Sequence, residues 1–305
     1  MTAPHAQLLE ELRPPAFAIA YRMLGSVGEA EDVVQETLLR VHRTLREGGR
    51  IQSPRAFAAT IATRLAIDQL RSARARRETY VGEWLPEPIV TDPAGDPARR
   101  AEMADSLSLA FLVLLETLSP EQRAALLLRD VFEYGYDEIA EIVGTSPVNA
   151  RQLATRARRH VEERRPRFEA VREQREELAR RFFAAAQDGD LAALEALLAE
   201  DVVLHGDGGG KVPALAGSLH GRERVARTLM VWVRLGLQLA GGSFRRVEVN
   251  GQPGALGLDR DGGLISVMAL DIAGGQIQGV SSIVNPDKIG HVGRVGDMRA
   301  LLKRN

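Results

Sequence analysis

Apolar residues in the first two-thirds of the chain recur every three or four positions, the spacing of helices buried along one side. Phe17, Ala20, Tyr21 and Leu24 mark a first helix, and Gly25–Gly28 a turn. A second helix over about 29–46 carries a stripe of Val34, Leu38, Val41 and Leu45. Ser53-Pro54 is a cap followed by a first-turn proline, and Phe57, Ile61 and Leu65 carry the next helix through Arg77. Leu107, Phe111, Leu114 and Leu118 predict a helix ending near Thr117, and Ser119-Pro-Glu-Gln122 is a capping-box pattern, with helix continuing over 124–131. Beyond about residue 200 the rhythm changes. Strands are predicted at 201–205, 244–249, 255–259, 264–272 and 276–284, around a helix at 223–235, and 20 of the 29 glycines lie in this part. Helices at 167–181 and 182–198 precede it. The pattern gives a multidomain chain, two all-α domains followed by a C-terminal α+β cone that closes with an antiparallel meander.

The stretch Tyr136–Val161 predicts two short helices across a tight turn. Gly144 ends the first, Ser146 caps the second, and Pro147 opens it, where a missing N–H costs nothing. Ala150, Leu153, Ala154, Ala157 and Val161 form the inner face of the second helix, while Asn149, Arg151, Gln152, Thr155, Arg156, Arg158 and Arg159 lie outside. Such a helix suits a DNA major groove. Asn149 and Gln152 are the candidate base readers, because an amide can bond bidentately to adenine, and Arg151, Arg156 and Arg158 are candidates for phosphate or guanine.

Net charge is −1, so the chain is not a uniformly basic nucleic-acid binder; the distribution changes the picture. Residues 64–77 hold Arg64, Arg71, Arg74, Arg76 and Arg77 against Asp68, more cation than a helix C-terminus needs. Residues 23–39 hold Glu29, Glu31, Asp32 and Glu36 with no basic residue, which suits a basic protein partner. The chain has no cysteine, which removes disulfides, thiol catalysis and cysteine-based metal sites. With no run of about 18 apolar residues and no visible signal peptide, a cytoplasmic protein without a membrane span is expected. No metal and no cofactor is expected.

The run AYRMLGSVGEAEDVVQETLLRVHR with SPRAFAATIATRLAIDQLRSARARRE resembles region 2 of the extracytoplasmic-function sigma factors, and SPEQRAALLLRDVFEYGYDEIAEIVGTSPVNARQLATRARRHVEE resembles their region 4. The resemblance implies that core RNA polymerase and promoter DNA are the partners. It implies that Asp32, Gln35 and Glu36 dock on the β′ coiled coil, that the helix bearing Arg64, Arg71, Arg74, Arg76 and Arg77 engages the −10 element, and that the helix-turn-helix reads the −35 element. Many such factors have Asn where this chain has Arg64.

Residues 78–100 are too rich in proline and glycine for a helix, yet Trp84-Leu85-Pro86-Glu87-Pro88 is apolar for a free linker, so Trp84 is expected to dock. The C-terminal cone resembles the SnoaL-like branch of the NTF2-like fold, which encloses an apolar pocket. WLPEP at 84–88, DGGGK at 207–211 and NPDKI at 285–289 resemble signatures of the sigma-factor subgroup with a fused SnoaL-like domain. That implies a regulatory domain acting in cis, with Trp84, Leu85, Pro86, Asp207, Lys211, Asn285, Pro286, Asp287 and Lys288 as the interdomain set. The expected division is 5–78 for region 2, 79–104 for the linker, 105–168 for region 4 and 172–305 for the cone and a basic tail. The expected product is a sigma factor and not an enzyme. Two other readings stay open: a SnoaL-like isomerase or hydrolase using His205 and Asp207 beside a DNA-binding module, and a ligand-sensing repressor.

Overall fold

The computed structural model describes residues 3–78, 80–91, 107–163, 172–235 and 241–297; for 3–4, 73–78 and 91 it describes the backbone alone. Close packing divides the chain into two units that do not follow chain order, Met1–Thr79 with Leu114–Arg164, and Tyr80–Val113 with Arg165–Asn305. Among the described residues, no helix is long and apolar enough to cross a membrane.

The first unit is helical. Helix α1 (Ala3–Leu24) begins well before the expected Phe17 and runs through Pro14 and Pro15. Two prolines normally break a helix because they remove two N–H donors. Here the acceptors they leave, near Glu10 and Glu11, are on the exposed side where water can serve them, while Leu12, Ala16, Ile19 and Ala20 are buried. The expected turn at Gly25–Gly28 shrinks to two residues. Gly25 adopts φ 67° and Ser26 caps α2 (Val27–Arg46), accepting from the Glu29 N–H at 3.2 Å. Helix α3 (Pro54–Glu78) buries small residues: Ala58, Ala59, Ala62 and Ala66, with Ile67 and Leu70. The predicted stripe of Phe57, Ile61 and Leu65 is only half-buried, since alanines permit the closer helix approach. Helix α4 (Leu109–Leu115) begins in the second unit and ends in the first, and α5 (Pro120–Asp130) carries the predicted capping box, starting four residues before the expected Ala124.

The second unit is an α+β cone. Helix α8 (Arg172–Asp188) runs straight across the helix boundary expected at 181–182; the break falls at Gly189, with φ 76°, and Asp190 caps α9 (Leu191–Leu197). Strands β2 (Leu198–Asp207) and β3 (Leu219–His220), helix α10 (Arg222–Arg234), and strands β4 (Ser243–Val249), β5 (Gln252–Leu258), β6 (Leu264–Ala273) and β7 (Gln276–Ile283) complete it, with a last short turn of helix at Pro286–Ile289. The meander β4–β7 is antiparallel as predicted, and β2 joins β7 in parallel. A two-residue strand from the linker, β1 (Val90–Thr91), pairs with β4, giving the order β1-β4-β5-β6-β7-β2-β3. A strand that short has no periodicity to read.

The sheet is buried on both faces, which is why β6 is nearly all apolar. Phe182, Leu229, Met268 and Leu270 share the core under α8–α10. On the other face Leu264, Val267, Ala269 and Ile283 share a core with Leu85 and Leu109. The linker is therefore a structural layer of the cone. Between Phe182, Phe183, Leu229, Val233, Phe244 and Met268 the apolar interior keeps a cavity of about 10 Å³, the size of one water.

Candidate nucleic-acid interface and linker anchor

The helix-turn-helix forms as its turn chemistry dictates. Helix α6 (Tyr136–Val143) ends at Gly144, left-handed at φ 77°, and α7 (Pro147–Glu162) starts from Ser146, whose Oγ accepts from the Asn149 N–H at 3.2 Å. Ala150 and Ala154 pack into a core with Ile139, Ile142, Ala125 and Leu128. The outer face keeps Gln152 and Arg156 in solvent. Asn149 donates from Nδ2 to Thr145 Oγ1 at 2.6 Å, which engages one of its two amide hydrogens. Arg151 stacks on the Tyr136 ring, 5.0 Å from its centroid. Arg158 makes a bidentate pair with Asp130 from α5, which raises its pKa further. These two arginines thus spend their guanidinium groups inside the unit.

The arginine-rich helix is similarly engaged. Arg64 donates through Nε to the Ile142 carbonyl at 3.0 Å and through Nη2 to the Glu141 carbonyl at 2.7 Å, at the last turn of α6 where the helix dipole favours a cation. Arg71 pairs with Glu121 at 2.7 Å and with Asp68 at 3.4 Å; the hydrogen bond to Glu121 raises its pKa. The side chains of Arg74, Arg76 and Arg77 lie outside the described residues. On α2, Asp32 and Gln35 are exposed, while Glu36 is half-buried and bonded to Arg40 at 2.6 Å.

Sequence reasoning missed Arg123. It is 2% exposed on α5, and donates to the Leu115 carbonyl at 3.0 Å, to the Met23 carbonyl, and to Glu116 at 2.7 Å. Burial pushes its pKa down to about 9, which leaves it charged at neutral pH. The signal was present: Arg123 sits one turn before Leu127, on the buried side of α5.

In the second unit, the three motifs meet on one carboxylate. Asp207, at the end of β2, is fully buried. Its Oδ1 accepts from the Tyr80 hydroxyl at 2.6 Å and the Gly209 N–H at 3.0 Å; its Oδ2 accepts from the Leu85 N–H at 2.8 Å and Lys288 Nζ at 2.7 Å. Lys288 also donates to the Leu85 carbonyl and lies over the rings of Trp84 (4.2 Å) and Tyr80 (4.8 Å). Burial, then the Asp207 carboxylate, raises the Tyr80 pKa and keeps its proton. Asn285 completes the ring, donating to the Tyr80 oxygen at 2.8 Å.

The glycines of DGGGK are there for backbone reasons. Gly209 and Gly210 have φ of 57° and 67°, and a Cβ on Gly209 would stand 2.2 Å from Asn285 Nδ2. Lys211 pairs with Asp287 at the surface, Pro286 opens the last helical turn, and Pro86 is buried. Trp84 is half-buried, and Leu85, at 0% exposure, takes the deepest place.

Two further linker contacts were not foreseen. Asn250, buried at φ 51° in the β4–β5 turn, accepts from the Ile89 N–H at 2.8 Å, returns its own N–H to the Ile89 carbonyl at 2.8 Å, and donates from Nδ2 to the Leu107 carbonyl at 2.9 Å. Glu83 bonds His205 Nδ1 at 2.6 Å and accepts from Ser218 at 2.9 Å; burial pushes its pKa up, but these bonds outweigh burial and hold it below the usual value. His205 and Asp207 are thus both turned to the linker. Ser218 and Glu83 crowd the same ring nitrogen of His205, whereas a nucleophilic triad needs them on opposite nitrogens.

Helices α1–α3 and a helix-turn-helix, in one chain with an α+β cone that anchors the linker, define a sigma-70-type transcription factor with an appended domain. Residues 8–76 match Sigma-70 region 2, residues 108–161 match Sigma-70 region 4, and residues 179–256 match the SnoaL-like domain. The chain is 38% identical over 288 residues to the ECF RNA polymerase sigma factor SigJ of Mycobacterium tuberculosis, covering 92% of this chain and 91% of that protein. It is 32% identical over 275 residues to the probable ECF RNA polymerase sigma factor SigI of the same species, covering 89% and 90%. The crystal structure of M. tuberculosis SigJ superposes with a TM-score of 0.74 at 36% identity, covering 93% of this chain and 96% of that one. The chain belongs to the ECF RNA polymerase sigma factors, which direct transcription initiation, and it carries a C-terminal SnoaL-like domain.

Proposed function

We propose that this sigma factor is controlled in cis by its cone, which holds or releases the linker between regions 2 and 4. The observation that carries this reading is Asp207, whose four donors include two from the linker and whose counter-ion Lys288 also grips the linker backbone. A linker held at Tyr80, Leu85 and Ile89 has less reach than a free one, so making or breaking the anchor changes how far the two DNA-reading halves can separate. In this reading Asp32, Gln35 and Glu36 meet the β′ coiled coil of core RNA polymerase in the cytoplasm. Arg64, Arg71, Arg74, Arg76 and Arg77 serve the −10 element. Asn149, Gln152 and Arg156 serve the −35 element, with Arg151 and Arg158 available only when they leave Tyr136 and Asp130.

An enzymatic role for the cone is the less favoured reading. Every Asp207 oxygen already accepts two hydrogen bonds, and the His205 Nδ1 is taken by Glu83. The deciding experiment is run-off transcription with core polymerase, comparing the full chain, a chain ending before residue 170, and Lys288→Met. A promoter-specific transcript whose yield changes in both altered chains supports cis control. Equal yield from all three would remove the cone from regulation, and no transcript from any would sink the reading of the helical units.

A further inference from the structure

We propose that Val148 reads the 5-methyl group of a thymine in the major groove of the −35 element. The inference rests on α7 being the DNA-reading helix. With 3.6 residues per turn, the buried Ala150, Ala154, Ala157 and Val161 fall on one side of α7; Val148, Gln152, Thr155 and Arg159 fall diametrically opposite. The side opposite the packed one is the side a recognition helix offers to base edges, and residues near its N-terminus go deepest. Val148, in the first turn, is 70% exposed, the most exposed large hydrophobic residue among those described.

Neighbouring side chains leave Val148 this role. Asn149 has an amide hydrogen on Thr145, Arg151 lies on Tyr136 and Arg158 is held by Asp130, so the polar groups left at the centre of the face are Gln152, Thr155 and Arg159, one, two and three turns further along. In the major groove, the thymine methyl is the apolar feature of the base edges and is met by apolar side chains. A β-branched residue suits this contact, because its χ1 is nearly fixed in a helix and its two methyl groups are presented without an entropic penalty.

The test uses the full-length chain with core polymerase. A −35 element is selected from a randomised duplex library. The selected duplex is then rebuilt with deoxyuridine at each thymine in turn, which removes one methyl group and nothing else. The expected result is one position at which uridine weakens binding about fourfold, the value of one buried methyl-sized group. Val148→Ala should bind the thymine duplex about fourfold more weakly and show no thymine–uridine difference at that position, while its response at other thymines is unchanged. Because Val148 is solvent-exposed, the variant should keep the wild-type thermal melt. Wild-type indifference to uridine at every position, a selected element without thymine, or a thymine preference that survives in Val148→Ala would overturn the proposal. If Gln152→Ala loses the −35 preference in such a case, α7 remains the reader and only Val148 is wrong. A selection with no −35 preference at all would overturn both.

Discussion

In each unit a buried charge ties together segments far apart in sequence, and the two are built oppositely. In the helical unit the charge is a cation. Arg123 spreads three contacts over two carbonyls and the carboxylate of Glu116, so most of its partners are neutral. In the cone the charge is an anion. Asp207 gathers a hydroxyl, two backbone N–H groups and one ammonium, and the ammonium of Lys288 is itself only 8% exposed. A guanidinium surrounded by carbonyls can lose one partner and keep the others. A carboxylate whose charge is balanced by a single buried lysine cannot. The cone's anchor should therefore be more cooperative, held whole or lost whole, whereas the arginine tie should weaken by degrees.

The largest effect is expected from Lys288→Met. It leaves Asp207 buried without a counter-ion, at a cost of about 3–5 kcal/mol. Hydrogen exchange at Tyr80–Ile89 should rise together across the whole segment. Loss of protection at Leu85 alone would contradict the all-or-none picture. Arg123→Met comes next. It orphans two carbonyls but no isolated buried charge, so about 2–3 kcal/mol is expected, read as a lower Tm for the helical unit with the linker's exchange unchanged. Gly209→Ala should follow, at about 1–2 kcal/mol, because a Cβ at φ 57° also displaces Asn285. Its effect should appear at Tyr80 before Ile89.

The smallest is the Glu83–His205 bond. A carboxyl held below the usual carboxylate range contributes stability that is fully present above that range and is lost as pH falls through its own depressed value. Compared with Glu83→Gln, the wild-type linker should exchange more slowly above pH ~5, by about 1 kcal/mol, and the difference should vanish in stronger acid. A difference that persists there would assign the bond no electrostatic part.

The contrast also separates what the sequence discloses from what it does not. Ser119, Gly144, Ser146 and Pro147 act on backbone groups within four residues, so their roles were legible from spacing alone. Asp207 and Lys288 were legible as members of motifs, but their meeting on Tyr80 and Leu85 was not. Asn250 and β1 depend on partners that only the fold brings near, as does the Arg123 contact to Met23: 100 residues away for Met23 and 161 for Ile89. For α1, local chemistry pointed the wrong way. Two prolines argue against a helix, and burial of Leu12 and Ala16 on the far side outweighed them. For the arginines proposed to meet DNA, composition located the cations but could not tell that Arg64, Arg71 and Arg158 already have protein partners.

Strand β1 carries a consequence for solubility. Among the described residues, the linker covers the open margin of the sheet at its Glu248–Val249 end. Further along β4, Arg245 and Arg246 stand exposed, and charged side chains at a margin deter another chain from adding itself there. Release of the linker uncovers a further stretch of backbone amides and carbonyls beside Val247 and Val249, where Glu248 is the charged side chain of the strand. A chain whose linker has left β4 therefore has a barer sheet margin, and its concentration in that state is limited by its own tendency to associate.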